Sequence, residues 1–423
     1  MLTTRRVVLA GAASLGIGAA PKLTSKKPPW VVGALFPLSG DAALLGDESF
    51  RGVALAVDAL NATGGLAGRE VRLMRADARD PTVAEAGAKA LIGKEKVSVI
   101  FGTAATPMAL AGSSTAALAG VPYFELTATG TAVTGRGLPT VFRSCPEADA
   151  FGVASVAAVT KVLAPLWDRA PPSLRLATLA SDDELGQGVA AMQATACKSR
   201  GLALVQSLSY PAGTVDVVPL IHALKEARIG VLLHTGFAND IVLLYRGMAE
   251  TGWEPGMVIG CGPAYAMADT RAAVGPALDG TLVVDFPPYA IDPHVAPGVA
   301  AVASAYQRRY GAPPRSGLSL ASYVGARLFF RAMQQAGGID QAKLRAAVLK
   351  TDVPSATTAN GWGAAFSSAG QNNRASVVLA QWQNGQVTAV APRSVAVAEA
   401  KERLRPLPAQ HKPASKPARR PAP

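Results

Sequence analysis

The feature that most constrains the fold of this chain is a repeated alternation between short apolar runs and amphipathic segments of helical period. Between residues 30 and 126, apolar runs that predict strands alternate with segments in which apolar residues recur every three or four positions. The same alternation returns between residues 174 and 260. Strands that are apolar along their whole length, joined by helices, are typical of parallel sheets covered by helices on both faces. The pattern predicts an α/β protein with two similar doubly wound lobes that separate near residues 143–151.

Beyond residue 260 the pattern is mainly helical and ends in a hairpin. The helical segments predicted from apolar periodicity cover residues 299–310, 318–337 and 341–349. Two predicted strands, 375–382 and 386–390, are separated by a turn that contains Asn384 and Gly385. Asn-Gly is the pair preferred in a tight hairpin turn, because both central positions need a positive φ.

Residues 1–27 predict a cleaved export signal. Arg5 and Arg6 precede a 14-residue apolar run over 7–20, shorter than the ~20 residues that a membrane-spanning helix needs. Two arginines before such a run resemble a twin-arginine signal, and an ordinary secretory signal is the alternative. We expect cleavage near Ala20 and, without a cysteine there, no lipid anchor.

We expect no later segment to be both apolar and long enough to span a membrane, so the mature protein is predicted to be soluble and periplasmic.

The positive charge of the chain is concentrated at its two ends. The formal net charge is +12, of which +5 belongs to residues 1–27 and +6 to residues 401–423, so the body is nearly neutral. A nucleic-acid-binding protein is expected to concentrate basic charge on a folded face, and this distribution argues against that class. Residues 401–423 are rich in proline, alanine and basic residues, which predicts a disordered tail. The tail is either solubilising or binds an anionic membrane or cell-wall polymer.

The cysteine and histidine patterns indicate neither a metal site nor catalysis. Cys145, Cys197 and Cys261 form no C-x-x-C pair; we expect buried free thiols, and at most one disulfide is possible. The four histidines show no metal-ligand spacing. The sequence also lacks a P-loop, a zinc-protease helix motif and a nucleophile elbow. We therefore expect no cofactor, no metal and no enzymatic activity.

Short motifs along the chain share the order and spacing found in one family. They are GALFPLSG at 33–40, GDESFRG at 46–52, NATGGLAGREVRL at 61–73, DARDP at 77–81 and DDELG at 182–186. Together they resemble the leucine/isoleucine/valine-binding proteins, which are periplasmic solute-binding proteins of ABC importers. The resemblance extends over residues 30–390.

The resemblance implies the fold of a type I periplasmic binding protein, with two Rossmann-like lobes joined by three hinge crossovers. It places lobe 1 at residues 30–147 plus 286–372 and lobe 2 at 148–285 plus 373–393. The ligand is expected in the cleft at the carboxyl ends of the strands, where open α/β sheets generally bind ligands, and the lobes close by a hinge motion. The implied partners are a small carboxylate-bearing solute and the membrane permease of an ABC importer, with the binding protein a monomer. A sensor of the same fold that regulates a partner is the alternative, and an enzyme on this scaffold is a third.

Two segments that follow predicted strands are candidate sites for a ligand carboxylate. In the family this group is held by hydroxyls and backbone N–H groups at helix starts, where unpaired donors and a partial positive charge favour an anion. Thr106 directly precedes Pro107, a favoured first-turn residue, and Thr127 and Thr129 follow the strand predicted over 121–126. The resemblance implies that Thr106 and Thr129 bind the carboxylate and that the Thr127 carbonyl faces the ligand. Ordinary helix capping and turn chemistry is the alternative.

Alignment with the family implies five further site positions. Phe237 and Tyr323 match aromatic wall positions of the cleft, and ordinary packing is the alternative for both. Leu45 and Leu185 stand where the family often has tyrosine. Gly262 stands where an acid commonly pairs the ligand ammonium.

The missing acid at residue 262 bears on the class of ligand. An ammonium group removed from water needs a charged or hydrogen-bonding partner. Loss of the acid with retention of the threonines predicts an amine-free organic acid, aromatic or branched, in preference to leucine. Asp182, Asp183 or Asp240 supplying the acid is the alternative, and it would keep an amino acid as the ligand.

Overall fold

The computed structural model describes residues 27–402. The predicted export signal, its cleavage near Ala20 and the basic tail beyond Glu402 lie outside the described residues. Within them, the predicted α/β class is confirmed, because two separate sheets with helices on their faces account for most of the chain.

The first sheet is parallel and has five strands. They are β1 (Trp30–Phe36), β2 (Val71–Asp77), β3 (Val99–Gly102), β4 (Tyr123–Glu125) and β5 (Val141–Arg143). Their order across the sheet is β2-β1-β3-β4-β5, and every neighbouring pair is parallel. All residues of β3 and β4 are buried, as expected for central strands that are covered on both faces. The edge strand β5 is buried as well.

The second sheet is mixed and has seven strands. They are β6 (Arg175–Ser181), β7 (Ala203–Tyr210), β8 (Val231–Thr235), β9 (Met257–Cys261), β10 (Leu282–Asp285), β13 (Val378–Gln383) and β14 (Gln386–Ala391). Their order is β14-β13-β10-β9-β8-β6-β7; β6 to β10 are parallel, whereas β13 runs antiparallel to β10 and to β14. A short antiparallel pair lies apart, formed by β11 (Asp352–Val353) and β12 (Ala364–Ala365).

Helices follow most strands and cover the sheets. Those that follow strands of the first sheet, or connect them, are α1 (Ala43–Ala62), α2 (Pro81–Gly93), α3 (Thr106–Leu118) and α4 (Ala132–Gly135). The second sheet has α5 (Ala148–Ala158), α6 (Ala164–Leu166), α7 (Glu184–Ser199), α8 (Val218–Glu226), α9 (Ala238–Thr251) and α10 (Ala268–Val274). The chain then continues through α11 (Val299–Tyr310), α12 (Gly317–Gln335) and α13 (Gln341–Leu349). The helices α11 to α13 match the three segments predicted from periodicity.

One helical segment corrects an expectation about membrane spans. α5, a π-helical turn over Val159–Leu163 and α6 form one segment, Ala148–Leu166, whose length and composition would suffice to cross a membrane. Its side chains Phe151, Val156 and Leu163 are instead buried in the core beside the second sheet. The buried side chains of this segment account for its apolar composition, because they pack into the core beside the second sheet.

The core of the first lobe is built around stacked phenylalanines. Phe124 of β4 and Phe329 of α12 stack with ring centroids 3.9 Å apart, and Phe101 and Phe142 from the neighbouring strands surround them. Residues far apart in the chain therefore close this core, because the chain returns to the first sheet as α12 after it has passed through β6 to β10 of the second sheet.

The chain passes between the two sheets three times within the described residues. It leaves the first sheet after β5, returns after β10, and crosses again before β13. The lobe boundaries at 147/148, 285/286 and 372/373 stay a prediction. Arg143 and Gln371, from the first and third crossings, form an isolated parallel bridge, so these two connections lie side by side.

Two local predictions are confirmed. β13 and β14 form the hairpin, and its turn residues Asn384 and Gly385 have positive φ values of 53° and 78°. Cys145, Cys197 and Cys261 are buried and unbridged, and burial raises the pKa of all three thiols.

Candidate functional site

A cavity of about 170 Å³ lies where the carboxyl ends of the strands of both sheets meet. Loops after β3 and β4 line it from the first sheet, and loops after β6, β8 and β9 line it from the second. Seven of the eight residues expected at the site reach this cavity: Leu45, Thr106, Thr127, Thr129, Leu185, Phe237 and Gly262. The position agrees with the general rule that open α/β sheets bind ligands at this edge.

Tyr323 is the expected site residue that the structure does not bring to the cavity. It lies half-buried on α12 beside Val324 and Leu328, in a separate open groove of about 640 Å³. It packs against the cluster formed by Val324, Leu328, Val353 and Ala364. A role for Tyr323 as a wall of the ligand cleft stays a prediction.

The three threonines of the first lobe differ in what their hydroxyls already bind. Thr106 Oγ1 accepts the amide of Gly130 at 3.0 Å, so its proton is free to donate. Thr127 Oγ1 donates to the Thr103 carbonyl at 2.9 Å. The Thr129 hydroxyl has no hydrogen-bond partner within residues 27–402. Two hydroxyl protons, those of Thr106 and Thr129, are therefore available to an acceptor in the cavity.

The amino-terminus of α3 faces the same cavity and has no side-chain cap. Its flanking residue Ala105 is extended and offers no acceptor, and Pro107 occupies the first turn. No acidic residue lies in this first turn. The helix therefore presents amides without a capping acceptor and the positive end of its dipole next to Thr106, an arrangement that favours an anion.

The second lobe turns two helix amino-termini toward the cavity, and both are occupied by carboxylates. Asp183 caps α7 by accepting the amides of Leu185 and Gly186 at 2.8 and 3.0 Å. Asp240 accepts the amide of Phe237 at the start of α9, at 2.8 Å. Hydrogen-bond donors thus dominate the first-lobe wall, whereas carboxylates occupy the helix starts on the second-lobe wall.

The second-lobe carboxylates include the aspartates considered as partners for a ligand ammonium. Asp183 lines the cavity, whereas Asp182 is exposed and accepts a hydrogen bond from the Gln187 side chain. Burial raises the pKa of Asp240, and the nearby carboxylates Asp183 and Asp41 raise it further, although the Phe237 amide opposes them. Asp183 is the aspartate best placed to meet a ligand.

Apolar side chains form the remainder of the wall. Leu45 comes from α1, Met108 from α3, and Leu185 and Phe237 from the second lobe. Gly262 adds bare backbone with φ 101° and ψ 165°, a conformation that is essentially restricted to glycine. Any residue with a side chain would be strained at this position.

Several lining residues were not identified from sequence as site residues. They are Ala104, Ala105, Met108, Ser181, Gly236, Pro263 and Ala264, with Pro107 and Asp183 noticed only for helix capping or as an alternative acid. All adjoin the ends of predicted strands or the starts of the helices that follow. That adjacency was the available signal, but small apolar residues at such positions carry no chemical pattern that distinguishes them from ordinary turns.

Behind the threonines lies a buried carboxylate that sequence analysis missed. Glu125 Oε1 accepts the amides of Thr103, Leu126, Thr127 and Ala128 at 2.6 to 3.1 Å. Burial raises the pKa of this carboxyl, and the amide hydrogen bonds counteract that rise. A single side chain thus shapes the turn that carries Thr127 and Thr129.

A buried histidine supports the second-lobe loops in a similar way. His234 lies between two tyrosine hydroxyls: its Nε2 is 3.0 Å from Tyr210 Oη, and its Nδ1 contacts Tyr265 Oη. Burial lowers the pKa of His234 to about 3, so the ring is neutral at physiological pH. Because Tyr210 ends β7, His234 lies in β8 and Tyr265 directly follows Ala264, these hydrogen bonds join the ends of β7 and β8 to the loop after β9.

Comparison with known proteins agrees with this geometry. A family model for periplasmic binding proteins matches residues 29–386. The Leu/Ile/Val-binding protein homolog 7 of Brucella abortus (strain 2308) is 38% identical over 396 residues, which cover 93% of this chain and 98% of the relative.

Solved structures share the fold at lower identity. The branched-chain amino acid transporter substrate binding protein LivJ of Streptococcus pneumoniae, in complex with isoleucine, has a TM-score of 0.74 at 19% identity, covering 88% of this chain and 99% of LivJ. An ABC transporter solute binding protein from R. palustris, in complex with benzoate, has a TM-score of 0.72 at 20% identity, covering 88% and 98%. The family match, the 38% identity and the shared fold together lead to one conclusion: the chain belongs to the periplasmic binding protein family and is a solute-binding protein of the branched-chain amino acid transporter type.

Proposed function

We propose that this protein binds a small carboxylate-bearing solute in the cavity between its lobes and delivers it to the membrane permease of an ABC importer. The observation that carries the proposal is the uncapped amino-terminus of α3, which faces the cavity together with the free hydroxyl protons of Thr106 and Thr129. A ligand carboxylate there would accept from both hydroxyls and from the helix amides. Thr127 contributes its backbone to this wall, since its hydroxyl is already committed to Thr103.

We propose an amine-free organic acid, aromatic or branched, as the ligand in preference to leucine. Gly262 leaves no acid at the position where the family commonly pairs the ammonium, and the wall beside it is apolar, with Leu45, Leu185 and Phe237. The related solved proteins hold isoleucine in one case and benzoate in another, so the fold accommodates both ligand classes. The carboxylate of Asp183 is already shared among two amides and the Ser181 hydroxyl, which weakens it as an ammonium partner.

The cellular setting follows from the same proposal. The family is periplasmic, and the basic, apolar start of the sequence supports export through a twin-arginine or secretory signal. A monomer that closes around one solute and docks on a permease is the simplest arrangement for this fold.

The test is thermal unfolding of the mature chain, from about residue 28 onward, against leucine, isoleucine, benzoate, branched keto acids and the matching amides. A ligand at 100 times its dissociation constant stabilises the folded protein by ~2.7 kcal/mol, an easily measured shift. We expect a shift with acids, none with the amides, and none with leucine.

An Asp183→Asn variant separates the two ligand classes, because asparagine also caps a helix and the change removes only the charge. Unchanged acid binding in this variant supports the amine-free proposal. Leucine binding by the natural protein that is lost in Asp183→Asn would overturn it and assign Asp183 to the ammonium. If no carboxylate shifts the thermal unfolding of the protein, the proposed ligand class is overturned.

A further inference from the structure

A fully buried arginine holds the backbone on either side of Thr129. Arg143 is 0% exposed, and its Nη1 donates to the Gly130 carbonyl at 2.5 Å and more weakly to the Ala128 carbonyl at 3.5 Å. These carbonyls flank Thr129, whose hydroxyl is free. The guanidinium therefore fixes the direction in which the Thr129 peptide faces the cavity.

The other nitrogens of the same guanidinium bind the crossings between the lobes. Arg143 Nε donates to Gln371 Oε1 at 2.6 Å, and Nη2 lies 2.6 Å from Glu147 Oε1. Gln371 belongs to the third crossing, and its Nε2 donates in turn to the carbonyl of Cys145 in the first crossing, at 2.9 Å. Within the described residues, one side chain thus touches the cavity loop and two of the three crossings.

Glu125 holds the same loop from the opposite side. Its carboxylate accepts amides of the turn that precedes Thr129, whereas Arg143 binds carbonyls around Thr129. The two buried charges thus engage complementary backbone groups, so the segment 126–130 has little freedom to move independently of either one. Glu125 contacts only groups of the first lobe, whereas Arg143 also contacts Gln371 in the hinge.

From these contacts we infer that Arg143 is a positioning residue that couples the ligand loop 126–130 to the hinge segment 370–373. This inference rests on the proposed carboxylate site at Thr106 and Thr129. A carboxylate that binds at Thr129 displaces the Gly130 carbonyl, and the Arg143 guanidinium moves with it. The displacement is transmitted to Gln371 and so to the crossing that must rotate as the lobes close. Arg143 thereby favours closure with ligand over closure without it.

The coupling requires the planar fork of arginine. A lysine would keep the positive charge, but its three N–H donors share one nitrogen at the end of a flexible stem. It therefore cannot reach Gly130, Gln371 and Glu147 at once, which arginine binds through three separate nitrogens. Arg143→Lys is therefore the informative substitution. Arg271→Lys is the matched control, since Arg271 also forms a two-nitrogen contact, with Asp279, on α10 and outside the cavity lining.

The experiment combines binding with amide hydrogen exchange, using benzoate and isoleucine as probes on the mature chain. Whichever probe the natural protein binds is expected to protect both 126–130 and 370–373 from exchange. In Arg143→Lys we expect at least tenfold weaker binding and, at saturating probe, protection of 126–130 without protection of 370–373. Arg271→Lys is expected to retain the affinity and both protections.

Equal affinity in Arg143→Lys and the natural protein, or full protection of 370–373 at saturation, would overturn the coupling. If Arg143→Lys does not fold, Gln371→Ala replaces it, since it removes the hinge partner and leaves the arginine bound to Glu147; the same two readouts apply. If neither probe binds the natural protein, the full panel of acids decides the proposed ligand class separately. The coupling is then decided without ligand: it predicts that Arg143→Lys accelerates exchange in both segments together, and acceleration in only one of them overturns it.

Discussion

The hydroxyl oxygen of Thr106 accepts the backbone amide of Gly130 at 3.0 Å, a contact that joins the start of α3 to the loop after β4. Because the oxygen is used as an acceptor, the hydroxyl proton is left to donate. The carbonyl of the same residue, Gly130, accepts a hydrogen bond from Arg143. One hydrogen bond therefore orients a donor and fixes the loop that supplies Thr129.

Thr106→Val and Thr129→Val are each expected to weaken binding of a carboxylate ligand by roughly tenfold to a hundredfold. Each removes one hydrogen bond to a charged acceptor, worth about 1.5–3 kcal/mol, while the β-branched shape is kept. Isothermal titration with the acid identified in the panel measures the loss. Thr115→Val is the control, because Thr115 lies on the outer part of the same helix and binds only the Ala111 carbonyl. Equal affinities for Thr106→Val and Thr115→Val would contradict the carboxylate site.

Gly262→Asp is expected to destabilise the fold by about 1–3 kcal/mol and to weaken binding of an amine-free acid. The destabilisation arises because the backbone at φ 101° and ψ 165° suits only glycine. The weakening arises because a carboxylate would enter the cavity beside the ligand. Gly262→Ala separates the two effects, since it carries the strain without the charge. Urea unfolding and titration of both variants give the comparison, and equal acid affinities for Ala and Asp would contradict a ligand next to residue 262.

His234 is expected to make the folded state less stable in mild acid. Its pKa is about 3 when folded, against an ordinary value of 6.5, so between these pH values the unfolded chain binds a proton that the folded chain does not. Stability from this residue is complete above pH 6.5 and declines as the pH falls toward 3. At pH 4.5 the loss amounts to about 2–3 kcal/mol.

His234→Gln removes this titration while keeping one donor and one acceptor for Tyr210 and Tyr265. Urea unfolding at pH 7 and pH 4.5 should therefore show a smaller acid-induced loss in the variant than in the natural protein. Identical losses would mean that His234 does not stay neutral in the fold.

Asp285 is expected to act in the opposite direction. Both of its carboxylate oxygens are buried among residues 27–402 without a hydrogen bond of normal geometry. Burial raises its pKa from 3.8 to about 8, although the Phe286 amide opposes the rise. Between those values the folded state holds a proton that the unfolded state releases, so this contribution to stability is full below pH 4 and is lost as the pH rises through 8.

Asp285→Asn should therefore be more stable than the natural protein at pH 8 and close to it at pH 4. The neutral amide avoids the desolvation of a charge, at the end of β10 where the chain returns to the first lobe. Unfolding curves at the two pH values measure the difference. A variant that is destabilised equally at both would show that the aspartate is bound to a group in the folded protein.

Much of the site could be predicted because its residues adjoin features that are local in the chain. Thr106, Thr127 and Thr129 follow apolar strands, and strand ends define the ligand-binding edge of a parallel sheet. Residues 141–143 were missed as β5, because the apolar run there, Val141 and Phe142, is too short to show a strand pattern. Tyr323, expected at the site from the family resemblance, lies in a separate groove, because the match of a short motif does not tell which neighbour a side chain meets.

The sequence by itself determined the α/β class, the helices α11 to α13 and the final hairpin, since each depends on local periodicity or turn chemistry. Only the tertiary structure decided how charges are shared around the site. Asp183 and Asp240 occupy the second-lobe helix starts, while Arg143 meets Gln371, 228 residues away in the chain. Partners so distant leave no local pattern, because their contact exists only once both lobes and their crossings have packed.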